Sequence, residues 1–163
     1  MLFSENCAMY AITAPDEKIR LFTKQGGHIM DVLNAMDKEE KKIETFPYKG
    51  KPLKVKDVSI RWLSQAGPQD SPDYGLRLFR VGPGGEIPIH NHFYVQTMYM
   101  LSGQLVVFSH DPETDKKIEE RLIGPDDFVF VPSMEPHSMM NPSDSQSARF
   151  LCCIANVYED KAD

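Results

Sequence analysis

His90 and His92 stand one residue apart in the stretch Gly82-Pro83-Gly84-Gly85-Glu86-Ile87-Pro88-Ile89-His90-Asn91-His92-Phe93-Tyr94-Val95-Gln96. On an extended strand alternate side chains share a face, so both imidazoles point the same way. Gln96 lies four residues past His92 and returns to that face if the strand stays regular. The chain holds five histidines, and a third, His137, sits in a second turn-rich stretch, Pro132-Ser133-Met134-Glu135-Pro136-His137. Imidazoles that converge, each with one ring nitrogen free to donate a lone pair, hold divalent transition metals. The competing reading is a pair of surface histidines beside a Pro-Gly turn. His-x-His spacing alone does not separate the two.

These residues need a scaffold, and most of the chain reads as short strands. Ser59–Leu63 is one, and Gly75–Val81 alternates and ends at Gly82-Pro83. After the histidines come Gly103–Phe108, a hairpin turn at Asp111-Pro112-Glu113-Thr114-Asp115, and a return over Lys116–Ile123. Gly124-Pro125-Asp126-Asp127 turns again, Phe128–Val131 follows, and Ala148–Val157 is a β-rich apolar run. Strands closed by Gly, Pro or Asp with no helix between them predict an all-β, mainly antiparallel sandwich or barrel.

The N-terminal part differs. Met9–Thr13 reads as a short strand, and Lys18–Gln25 is ambiguous between strand and helix. From His28 to about Ile43 the apolar residues Ile29, Val32, Leu33, Met36 and Ile43 fall at helical spacing, against an acidic and basic outer face. That predicts a helix, with His28 as a terminal polar residue. Residues 44–57, with Pro47, Gly50 and Pro52, read as a loop. The expected organisation is an extension over residues 1–58 with one helix, packed on a barrel domain over residues 59–163.

Composition narrows the function classes. A chain of 163 residues fits one domain with a sizeable core. A net charge of −6 argues against a non-specific nucleic-acid surface, and no apolar run is long enough for a membrane span. The first residues, Met1-Leu2-Phe3-Ser4-Glu5-Asn6, lack the basic start of a secretion signal. Three cysteines include the neighbours Cys152 and Cys153, which point to opposite faces of a strand. Reduced thiols in a cytoplasmic protein fit that pattern best.

Two motifs then point to one family. The first is Gly84-x5-His90-x-His92-x3-Gln96-x6-Gly103, and the second is Asp127-x4-Pro132-x-Met134-x2-His137-x3-Asn141. Together they resemble the paired motifs of the cupin superfamily, over about residues 59–157. The resemblance implies a double-stranded β-helix, the jelly-roll barrel, around one divalent transition metal ion: Mn, Fe, Ni, Zn or Co. Its ligands would be His90, His92, Gln96 and His137. Gln96 stands where the family usually has glutamate, which resembles a cupin subset with three histidines and one glutamine. Asp126 and Met134 replace glycines of the second motif, a change of turn residues rather than ligands.

Four neutral ligands would leave a divalent ion its full charge inside a low-dielectric barrel. Such a centre favours a small anionic substrate and lowers the pKa of a bound water. The expectation is a metalloenzyme acting on an organic acid or sugar, of isomerase, lyase or dioxygenase type. The alternative is a non-catalytic small-molecule-binding or sensor cupin. Arg77 and Tyr94 are candidates for binding a substrate carboxylate or for acid–base work, against the plainer reading of a solvated arginine on a strand edge. By strand parity Met98 and Met100 share the face of Gln96, and Met139 that of His137. Phe128 and Phe130, or else Val129 and Val131, line the next strand. His110, beside a hairpin turn, is expected to be exposed. A homodimer is the expected assembly, since cupin barrels often pair.

Overall fold

The computed structural model of the chain describes residues 32–64 and 74–155. The chain divides into two units, Met1–Asn34 and Ala35–Asp163, and the account below concerns the second. Its strands are β1 (Lys41–Lys42), β2 (Thr45–Tyr48), β3 (Lys51–Lys54), β4 (Lys56–Ser64), β5 (Tyr74–His90) and β6 (Gln96–Ser102). They continue as β7 (Leu105–His110), β8 (Lys117–Ile123), β9 (Phe128–Val131), β10 (His137–Met140) and β11 (Ala148–Ala155). Every pairing is antiparallel.

One sheet runs in the order β8-β7-β10-β5-β11-β6-β9, with β4 and β1 joined to it through β5. The long strand β5 makes it curl. Its first half pairs with β11 from Tyr74 to Val81 and with β4 from Leu76, the latter pairing reaching on to Glu86. Its second half pairs with β10, where His137 opposes His90. The sequence predicts a strand end at Gly82-Pro83, whereas the strand runs through it and bends. Gly84 adopts a φ of 59°, a left-handed conformation open to glycine. Asn141, fully buried, braces the bend: its side-chain amide reaches the carbonyls of Val81, Gly82 and Gln146 at 2.7–3.1 Å. Gly103 serves the next corner. Its φ is 73°, and a Cβ there would lie 2.6 Å from the Cα of Ala148.

Period-two alternation is clearest in β11, where Ala148, Phe150, Cys152 and Ile154 are buried and the residues between them are not. Phe150 stacks on Phe79 with ring centroids 4.9 Å apart. Gln96, Met98 and Met100 of β6 all point inward, as parity requires. On β9 Val131 is buried while Phe128 and Phe130 are exposed, which settles which pair faces in. Cys152 is buried and Cys153 only partly, and both are free thiols.

Two N-terminal expectations need correction. Residues 1–31, which hold the Met9–Thr13 strand, the Lys18–Gln25 segment and the start of the expected helix, lie outside the described residues. Over the described remainder of 28–43 there is no continuous helix, only a 3-10 turn at Ala35–Asp37 followed by β1. Lys41 and Lys42 pair with Ile60 and Ser59, so sheet pairing overrides the local helical pattern. Residues 44–57 are not a loop either. β2 and β3 form a hairpin in which Pro47 opposes Pro52. Its turn uses Lys49 and Gly50, both at positive φ, as a tight hairpin turn demands. Prolines cannot donate to a ladder, and this two-stranded sheet tolerates them.

Among the described residues no helix is long and apolar enough to cross a membrane.

Candidate metal centre

β5 ends on His90, β6 begins on Gln96, and β10 begins on His137. The sheet brings these strand ends together. His137 and His90 are direct cross-strand neighbours, with ring centroids 4.2 Å apart. His92, in the connection between β5 and β6, lies 5.1 Å from His137 and 5.9 Å from His90 by the same measure. One ring nitrogen from each of the three falls within 4.8 Å of the others.

Their tautomers follow from the backbone. His90 Nδ1 lies 2.9 Å from the Pro88 carbonyl, His92 Nδ1 2.7 Å from that of Tyr94, and His137 Nδ1 2.8 Å from that of Glu135. A carbonyl can only accept, so each Nδ1 carries the proton and donates it. Each Nε2 is then left with a bare lone pair. The Nε2 atoms of His92 and His137 are buried and have no hydrogen-bond partner. Leaving buried acceptors unsatisfied costs about 1–3 kcal/mol each. A cation at the convergence point would satisfy them, and carbonyl-oriented imidazoles are the usual support of a metal-ligating histidine. The donor set fits a divalent transition metal.

Burial also keeps the rings neutral. Desolvation pushes His90 down to about 4 and His137 down to about 3, and it lowers His92 as well. Protons therefore do not compete for the lone pairs near neutral pH.

A cavity of about 350 Å³ opens beside His90 and His92. Arg77, Tyr94 and Gln96 line it, and among the described residues no Asp, Glu or Lys does. Arg77 is only 7% exposed. Its Nη2 donates to Cys152 Sγ at 2.8 Å and, at 3.4 Å, to Gln96 Oε1. The guanidinium sits 5.2 Å from the Phe79 ring and 5.4 Å from that of Trp62. Its Nε is buried without a hydrogen-bond partner, and Arg77 forms no ion pair among the described residues. The solvated arginine of the plainer reading is therefore excluded. Gln96, 5% exposed, lies between Arg77 and His92. Tyr94 stacks flat on His92, ring centroids 4.2 Å apart and 8° from parallel. Cys152 reaches the cavity, but burial pushes its thiol up, which leaves it protonated and unreactive.

Residues 77–154 match the model of the cupin domain family. The chain belongs to the cupin superfamily. Among solved structures, this cupin is similar to the polyketide cyclase RemF from Streptomyces resistomycificus, at 23% identity and a TM-score of 0.60, over 82% of this chain and 89% of that one. It is also similar to a cupin-2 domain protein from Rhodospirillum rubrum, at 21% identity and a TM-score of 0.57, over 80% and 77% of the two chains. Oxalate decarboxylase from Bacillus subtilis shares 19% identity and a TM-score of 0.57 over 79% of this chain and 30% of that longer one. No curated protein matches the sequence. At these identities the likeness carries the fold alone.

The second cupin motif keeps its backbone shape without its glycines. Asp126 has a φ of 70° and Met134 one of 65°, the left-handed conformation in which glycine is the usual residue. Asp126 accepts a hydrogen bond from the Tyr99 hydroxyl at 2.7 Å. The Met134 amide donates to the His92 carbonyl at 2.8 Å, so the substituted turn still holds the ligand-bearing connection.

The sequence reading missed two things. Phe46, on β2, stacks on His90 with ring centroids 4.6 Å apart, and Pro47 beside it lines the cavity. The Lys49-Gly50 turn flanked by Tyr48 and Lys51 was the signal available for that hairpin. His110, expected to be exposed, is 6% exposed. Its Nδ1 donates to the Asp115 carbonyl at 3.0 Å, so Nε2 accepts from the Ser138 hydroxyl at 2.8 Å. A hairpin turn that folds back over the strand end buries it. His28 lies outside the described residues.

Proposed function

We propose that this cupin holds one divalent transition metal ion through the Nε2 atoms of His90, His92 and His137, with the Gln96 amide oxygen as fourth ligand. The metal is Mn, Fe, Ni, Zn or Co. The protein acts there on a small organic anion. The observation that carries this reading is Arg77: a buried cation with no carboxylate partner among the described residues, in the same cavity as His90 and His92. A buried charge without a counter-ion is costly unless something anionic arrives to pair with it.

Each residue then has a task. Arg77 binds the substrate carboxylate through its unused Nε and orients it towards the imidazoles. The walls Phe46, Phe79 and Phe150 exclude water and strengthen that attraction. Among the lining residues Tyr94 is the hydroxyl group available to give or take a proton. When bound, the ion supplies Lewis acidity, which stabilises negative charge developing on a coordinated oxygen. An isomerase, a lyase or a dioxygenase can be built on this frame. The second reading is a non-catalytic cupin that binds its anion without a strong general base; the lining residues described include Arg77 and Tyr94 but no carboxylate.

The test has two arms. Metal content is measured by plasma mass spectrometry on protein purified without added metal, beside a His90→Ala/His137→Ala control. Acetate is then titrated into metal-replete protein and into Arg77→Met. Stoichiometric metal lost in the control, with acetate binding lost in Arg77→Met, supports the reading. No metal after reconstitution refutes it. Turnover of keto acids, uronates or diketones by the loaded protein separates the enzyme from the binding module.

A further inference from the structure

A second cavity, of about 370 Å³, borders one of the three imidazoles, that of His137. His90 and His92 line the first cavity and His137 the second, while Met139 lines both. Each volume lies within the range of small-molecule sites. The two cavities thus adjoin at the buried Met139, and they differ in chemistry.

The first cavity contains the buried Arg77. The inner wall of the second is apolar: Met98, Val107, Val129, Val131 and Met139. Its charges sit at the rim. Glu119 and Arg121 pair with each other at 2.8 Å, their side chains 52% and 73% exposed. Glu135, the third, is half-buried. Two carboxylates against one guanidinium leave that mouth with a negative balance. The one buried hydroxyl on this wall, that of Ser138, already donates to His110.

We propose that the anion is an amphiphilic monocarboxylic acid, its head at Arg77 and its uncharged apolar portion in the second cavity, with Val107 and Val129 deciding the length accepted. This rests on the anion-binding reading above and adds the substrate class. Val131 is buried and Val129 partly so, and both line this cavity, while Phe130 of the same strand, 54% exposed, lines it from the outer side.

The experiment measures calorimetric affinities of metal-replete protein for acetate, butyrate, hexanoate and octanoate, and for octanedioate. Affinity should rise about four-fold per buried methylene. Octanedioate should bind at least ten-fold more weakly than octanoate, because its second carboxylate meets the acidic rim. In Val129→Trp, and independently in Val107→Trp, the ratio of octanoate to acetate affinity should fall towards one. Equal affinity for acetate and octanoate in the native protein, with acetate binding still dependent on Arg77, overturns this inference and leaves the anion site standing. Failure of every carboxylate to bind overturns both.

Discussion

His137 lies directly opposite His90 across the β5–β10 ladder, and the two rings approach to 4.2 Å between centroids. Two neutral imidazoles held that close by antiparallel pairing, each anchored at Nδ1 by a carbonyl, form a preorganised chelate. The cost of desolvating them is met during folding, before any ion arrives.

Removing one should therefore be severe for metal and mild for fold. His137→Ala is expected to lower metal affinity at least 100-fold. Native protein at a free metal concentration 100 times its Kd should gain about 2.7 kcal/mol of stability, a gain the variant lacks under the same conditions. Thermal unfolding with and without chelator measures both. An equal shift in native and variant protein would disprove the assignment.

Acid should act through the same rings. Their folded pKa values lie below the ordinary histidine value of about 6.5, at about 4 for His90 and about 3 for His137. Between those limits the unfolded chain binds more protons than the folded one, so stability rises with pH. Metal-free protein should thus lose up to about 1.4 kcal/mol per pH unit per histidine as pH falls below about 6.5. The difference between native and His90→Ala/His137→Ala profiles isolates this contribution from that of the carboxylates. Parallel profiles from pH 7 to pH 4.5 would contradict it.

Asn141 tests the brace at the bend of β5. Its amide serves the Val81, Gly82 and Gln146 carbonyls, and its Oδ1 accepts from the Ser143 amide at 3.0 Å. Asn141→Ala leaves buried carbonyls unpaired and should cost about 2–4 kcal/mol. Asn141→Asp sets a carboxylate against those carbonyls, so it should be less destabilising at pH 4 than at pH 7. Denaturant unfolding at the two pH values decides this; an Asp variant as stable as the native chain at pH 7 would refute the account.

Met134 offers the opposite sign. It is exposed, at a φ of 65°, where a side chain costs roughly 1–2 kcal/mol relative to the right-handed region. Glycine loses some of that gain through unfolded-state entropy. Met134→Gly should then stabilise the protein by about 0.5–1 kcal/mol without lowering metal affinity. A lower unfolding midpoint would show that Met134 is held by packing that outweighs the strain.

Part of the site can be read along the chain because it depends on strand parity. Gln96, Met98 and Met100 stand at even separations on β6, so their common direction needs no knowledge of the fold. His92 lies beyond the end of β5, in the connection to β6, so its approach to His90 and His137 does not follow from parity. Gly84 and Gly103 are equally legible, since both occupy positive-φ corners. The second motif was harder. Asp126 and Met134 take conformations their side chains disfavour, held there by Tyr99 and by the His92 carbonyl, contacts that arise only after folding.

By itself, the order of residues determined most of the alternating strands and the turns between them, because these follow from spacing of a few residues, while the ligand set of three histidines and a glutamine was implied by the resemblance of its two motifs to the cupins. Tertiary structure decided the rest. Parity tells that Arg77 shares a face with other residues of β5, but only pairing with β11 turns that face inward and seats the guanidinium against Cys152 and Gln96. The helical pattern before Ile43 yielded to pairing with β4, and the proline-rich stretch after it became the hairpin that lays Phe46 on His90. Those outcomes depend on which distant strand supplies hydrogen-bond partners and buried surface, an energy shared between segments and so invisible in either segment alone.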